Sequence, residues 1–206
     1  STMVSRQIEF LQAHADVSAV FTMTRTIDEQ DRPIRLGNFK LPEEYQGQDI
    51  FSFPDLFNTV LKYGTITIVP TMMTRKNVLD KVDNFNWQQF CSAADIDLYL
   101  RMAQICPVGI IDEPLHRYRI SAQQGTIQIN RARTHLGHFF QVIDHYLTLS
   151  EVHKLVDQEA LKMYKMYRSA DQVYCAINFV LQDKKIQALN LLDEAICCEI
   201  FLSAYH

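Results

Sequence analysis

From about residue 130 to its end, the sequence carries almost no Gly or Pro. Three stretches there (130–147, roughly 152–181 and 184–204) repeat apolar residues at helical spacing. The earlier residues differ in kind. They are punctuated by Gly and Pro, and they hold the β-branched and aromatic run VSAVFTMTRTI (Val17 to Ile27), which reads as a strand. Gln123-Gln124-Gly125 supplies a turn between the two regimes. The chain is therefore expected to join an α/β part, residues 1–126, to an all-helical part, residues 127–206.

Within the first part, residues 4–14 place Val4, Ile8 and Leu11 on one helical face. Asp28 to Asp31 reads as a turn, with Pro33-Ile34-Arg35 returning as a short strand and 37–50 as loop. Pro54 opens a helix that Gly64 closes. Thr65 to Val69 reads as a strand, Arg75 to Val82 as a short helix, and Asp83 to Ser92 as a loop holding the sole tryptophan, Trp87. ADIDLYLRMAQI, residues 94–105, is a helix in which Asp97 and Arg101, one turn apart, pair. Val108 to Ile111 and Leu115 to Ile120 read as two extended segments of a hairpin. Tyr174 to Ile196 has the pattern of a tetratricopeptide-like helical hairpin.

Composition excludes several functions. A net charge of -4 is wrong for a phosphate-tracking nucleic-acid surface. The five Cys form no C-x-x-C pair and no zinc spacing with His, and are expected to be reduced thiols. His135, His138 and His145 carry no metal-site pattern and read as ordinary polar positions. No stretch is long and apolar enough for a membrane span.

Four segments together resemble family-2 nucleotide-sugar glycosyltransferases of the GT-A fold. RQIEFLQAHADVSAVFTMTRTIDEQDRPI (6–34) looks like the helix, strand and turn after that family's acidic metal motif. GTITIVPTMMTRKNVLDKVDNF (64–85) is similar to its strand and M-x-R segment. AADIDLYLRMA (93–103) resembles its E-D-x-D-L-x-L-R helix, and IIDEPLHRYRISAQQGT (110–126) its I-D-E-P-L-x-x-Y-R-x-H segment. The resemblance covers about residues 4–126. It implies an incomplete GT-A-like mixed sheet with flanking helices, followed by an all-helical tail.

An inverting sugar transferase needs a carboxylate to take the proton from the acceptor hydroxyl, and a cation to take the charge of the leaving diphosphate. The resemblance puts Asp95 at the general-base position; a first-turn Asp also satisfies backbone N–H groups and the helix dipole. It implies substrate-binding roles for Asp97, Trp87, Arg75, Tyr118 and Arg119. The Asp97–Arg101 pair, packing of Trp87 beneath its loop, anchoring by Arg75 and an ion pair of Arg119 with Asp112 or Glu113 are the structural alternatives. Ser121 stands where the family often has a metal- or diphosphate-holding His. DNFNW (83–87) departs from the family's G-G-F-D turn.

No nucleotide-base strand and no D-x-D precede residue 6, and two residues on a helix diverge too far for Asp95-Ile96-Asp97 to grip one ion. The chain is thus expected to be the acceptor-side portion of a longer transferase, inactive alone. A divalent Mg or Mn belongs to the longer protein and none to this segment. The implied partners are a nucleotide-sugar donor and a sugar, lipid-linked or protein acceptor, in surface polysaccharide or glycan synthesis. A homodimer that covers the exposed sheet edge, and a peripheral contact of an otherwise cytoplasmic protein with the inner face of the membrane, are further expectations. The rival reading is a non-enzymatic interaction module that uses the helical region.

Overall fold

The computed structural model describes residues 2–34, 39–130 and 132–196 of the 206. Helix α1 (Thr2–Ala13) buries Gln7 and Leu11 and leads into strand β1 (Ala19–Ile27). Every β1 residue is buried except Arg25. The turn after it is an Asx turn: the Asp28 carboxylate accepts the Gln30 and Arg32 backbone N–H groups at 2.8 and 2.9 Å. The chain then returns along β1 through a bridge between Ile27 and Pro33; Arg35 lies outside the described residues.

Strand β2 (Ile50–Phe51) precedes α2 (Phe53–Tyr63). A reciprocal capping box between Ser52 and Asp55 starts α2, and Gly64, at φ 74°, stops it. Residues 65–68 form no paired strand, contrary to expectation. Pro70 lacks an N–H, and the run folds into a 3-10 turn, Val69–Thr71, before the true strand β3 (Met73–Thr74). Helix α3 (Lys76–Val82) follows. The expected 83–92 loop contains a helical turn, α4 (Trp87–Phe90), capped where the Asn86 side chain accepts the Gln89 N–H at 3.3 Å.

Helix α5 (Ala94–Ile105) has its expected bounds. Strand β4 (Val108–Arg119) corrects the hairpin reading: the two extended segments are one continuous strand of 12 residues. Pro114 sits in it at a register shift opposite Met23, where a missing donor is tolerated. The expected 130–147 helix is shortened to α7 (His138–Thr148), and a short helix, α6 (Gly125–Asn130), precedes it where a turn was expected. Between them the Arg133 guanidinium pairs with Asp171, whose carboxylate also accepts the Gly137 N–H at 3.0 Å. These bonds hold the 133–137 segment in non-helical form. Helices α8 (Ser150–His153), α9 (Gln158–Leu181) and α10 (Lys185–Ile196) complete the described chain. Asp157 caps α9, accepting the Ala160 N–H at 2.9 Å. Cys197, Cys198 and the end of the 184–204 helix lie outside the described residues.

The sheet order is β2-β4-β1-β3, with β4 parallel to β1 and the outer strands antiparallel to their neighbours. This is the expected mixed α/β architecture: a four-stranded mixed sheet, flanking helices and a helical C-terminal region. A small cluster of Leu11, Val17, Val20 and Ile111 lies under α1. The main core runs from Phe21 and Ile110 through Phe53, Phe57 and Leu98 to Phe140, Ile143 and Tyr164. One apolar interior is therefore shared across residue 126. Asn58 stitches the same junction, donating to the Leu155 carbonyl and accepting the Asp157 N–H at 2.9 and 2.8 Å.

Candidate functional site

Helix α5 organises the candidate site because its polar residues fall on two different faces. Asp97, Arg101 and Gln104 follow the helical repeat and line an open cleft of about 750 Å³. The 83–90 segment and His145, Tyr146 and Leu149 of the helical region also line it. Asp97 is almost fully buried. Its carboxylate accepts the Arg101 Nε–H at 2.9 Å and the Tyr146 hydroxyl at 3.1 Å. Arg101 also donates to the Val82 and Asn84 carbonyls, so it fixes the loop that lines the cleft. Burial beside the Asp97 carboxylate pushes the Tyr146 hydroxyl far above the usual phenol range.

Trp87 stands in this cleft 59% exposed, its ring 5.5 Å from that of Phe85. Asn84, Asn86, Gln88, Gln89 and Gln104 line the same cleft. An exposed aromatic face in a cleft lined by planar amides, two carboxylates (Asp83 and Asp97) and one guanidinium suits a polyhydroxylated ring. The apolar C–H face of such a ring stacks, and its hydroxyls exchange hydrogen bonds with groups that both donate and accept.

Asp95 belongs to another face of α5 and is not among the residues lining this cleft. It lies in the first helical turn, where its Oδ1 accepts the Ile96 N–H at 2.9 Å. Burial raises its proton affinity above that of an ordinary carboxyl, and the Ile96 bond opposes the rise only in part. The Tyr99 hydroxyl is close enough to feel the Asp95 charge, yet is buried with no partner at hydrogen-bonding geometry.

The remaining expected site residues lie elsewhere. Arg75 is an internal clamp: its guanidinium donates to the carbonyls of Leu11, His14 and Val17, tying the end of α1 to the start of α3. Arg119 donates to the Asp28 carbonyl at 2.8 Å and to the Asp31 carboxylate at 2.6 Å, bracing the turn after β1 rather than pairing with Asp112 or Glu113. Tyr118 packs edge-on against Phe39, ring centres 6.4 Å apart. Ser121 donates to Glu29 at 2.7 Å. His116 faces the Thr24 hydroxyl at 3.5 Å, and burial lowers its proton affinity. The structure thus brings Trp87 and Asp97 together, and leaves Asp95, Arg75, Tyr118 and Arg119 outside their cleft.

Among the described residues no group of three or more His, Cys, Asp or Glu is placed to hold a metal ion. The acidic turn nearest the implied metal motif is already occupied by its own cations and hydroxyl: Asp28 by Arg32, Asp31 by Arg119 and Glu29 by Ser121.

Asn84, Gln88, Gln89, Gln104 and His145 are cleft residues that sequence reasoning missed. Gln104 was within reach, because it continues the Asp97–Arg101 face by the helical repeat. The others carried no pattern of their own. In comparison with known proteins, no protein-family model matches this chain and no curated protein matches it in sequence.

Proposed function

We propose that this chain is the acceptor-side portion of an inverting nucleotide-sugar glycosyltransferase, with a GT-A-like sheet and Asp95 as general base. The observation that carries the reading is the state of Asp95. A partly buried carboxylate in the first turn of α5, whose proton affinity burial raises above that of an ordinary carboxyl, is better suited to accept a proton than an exposed one. In the proposed step the acceptor hydroxyl gives its proton to Asp95 as its oxygen bonds to the anomeric carbon. The bond from that carbon to the nucleoside diphosphate breaks, and the diphosphate leaves with the electron pair. The Trp87 cleft, on a different face of α5 from Asp95, holds a sugar unit of the acceptor remote from the reacting hydroxyl, and Asp97 keeps Arg101 and the cleft wall in place. Surface polysaccharide or glycan synthesis is the setting that fits such an acceptor.

Because Trp87 is the chain's single tryptophan, its fluorescence reports directly on the cleft. Hexose-terminated oligosaccharides are expected to shift its emission. In the protein joined to its donor-binding half, Asp95→Asn is expected to abolish transfer while leaving donor binding and that shift unchanged. Full transfer by Asp95→Asn, or no oligosaccharide response at Trp87, ends the proposal.

One observation favours the rival interaction-module reading. Ile177, Val180 and Leu181 of α9, with Ile186 and Leu189 of α10, are all more than half exposed. Such a surface suits a homodimer; a stable monomer by light scattering, unchanged by Ile177→Asp, removes that reading.

A further inference from the structure

We infer that the carboxyl ends of the two parallel strands β1 and β4 form a binding site for a phosphate-bearing ligand, gripped by Arg25 and Arg117. The two arginines are register partners on adjacent strands, and both are exposed. The hydroxyl of the preceding Thr24 meets the ring of the preceding His116 at 3.5 Å on one face of the sheet. Side chains alternate along a strand, so Arg25 and Arg117 share the opposite face. Strand neighbours lie about 4.8 Å apart, and like charges at that spacing repel.

The repulsion is left uncompensated by the protein. Among the described residues neither arginine forms an ion pair with a carboxylate, although every other arginine of β1 and β4 and the turn between them and residue 34 does so: Arg32 with Asp28, and Arg119 with Asp31. Arg25 is also the one exposed residue in an otherwise buried strand. It lines a cleft of about 580 Å³ together with a further exposed cation, Lys40; Arg117, its register partner, lies next to this cleft rather than among its lining residues. Asp112 lines the same cleft and is its only carboxylate among the described residues. The balance there favours an anion, and Arg117 adds a further positive charge beside Arg25.

Guanidinium forks match phosphate oxygens in pairs, and two forks on neighbouring strands can take separate oxygens of one group. The carboxyl ends of parallel strands are also where open α/β sheets place ligands. The residues involved are separate from Asp95 and from the Trp87 cleft, so this site stands or falls independently of the proposed base.

Titration calorimetry of the whole chain with sodium pyrophosphate and, separately, with inorganic phosphate tests the site. One saturable event is expected, weakened by added salt. Arg25→Gln and Arg117→Gln are each expected to weaken it about tenfold or more, the effect of losing one charge-assisted contact. Tighter binding of pyrophosphate assigns a diphosphate ligand, and equal binding a phosphate monoester. Lys76→Gln, at the opposite end of β1, is expected to leave the affinity unchanged. No saturable binding of either anion overturns the inference. So does unaltered binding by both arginine variants with native circular dichroism, or an equal loss in the Lys76 variant.

Discussion

The hydroxyl of Tyr146, on helix α7, donates to the Asp97 carboxylate on helix α5 across 3.1 Å. The bond is buried and joins the helical region to the floor of the cleft. Tyr146→Phe keeps the ring packing against Phe53 and Phe57 but leaves the carboxylate with Arg101 alone. A hydrogen bond to a charged group contributes about 1.5–3 kcal/mol. For a chain of this size that is a fall of roughly 3–12 °C in melting temperature, measurable by calorimetry. An unchanged melting temperature would remove the bond from the account of how the two parts hold together.

Arg75 offers a second test, since three carbonyls depend on it. Arg75→Met keeps much of the aliphatic stem and strands the acceptors at the end of α1. A loss of about 2–4 kcal/mol is expected in chemical denaturation, because buried acceptors are costly to leave unpaired. Had Arg75 held substrate instead, the variant would fold with native stability and lose affinity only.

A methyl group at Gly109 would lie 2.3 Å from the Phe10 ring. Gly109→Ala is expected to cost about 1–3 kcal/mol as the ring is forced off α1's packing site. Phe10→Ala should make the added methyl nearly harmless in the double variant, a coupling that a double-mutant cycle reads directly.

Asp95 gives a pH signature. Its folded proton affinity is raised, so its contribution favours the fold below the ordinary carboxyl value of 3.8 and is lost as pH rises through the higher folded value. Asp95→Asn carries no such loss. Its melting temperature should exceed that of the parent at neutral pH, and the gap should close as pH falls through the carboxylate range. A gap independent of pH would mean that the carboxylate is not desolvated.

Much of this architecture was legible because the signals were local. Helix α5 was delimited by its apolar spacing, α2 by Pro54 and Gly64, and β1 by an unbroken β-branched run; each survives in the structure with its bounds shifted by two residues or fewer. The failures have a common cause. Thr65 to Val69 has strand composition, but no neighbouring strand is there to pair with it, and Pro70 redirects the chain. The 133–137 segment has helical composition, but Arg133 and Gly137 are claimed by Asp171, more than thirty residues away. Pairing partners at long range leave no mark on the local pattern. The cleft was half legible for the same reason: Trp87 and Asp97 stood out as residues, whereas their meeting with His145 and Tyr146 depends on how the helical region docks.

That docking has a consequence for synthesis on the ribosome. Phe53, Phe57 and Leu98 emerge early, yet the side chains that cover them, Phe140, Ile143, Tyr146 and Tyr164, come last. A nascent chain halted before residue 140 therefore presents a large apolar surface with nothing of its own to shield it. Such an intermediate is a natural client for chaperones, and acquisition of protease resistance should arrive in a single late step rather than in two.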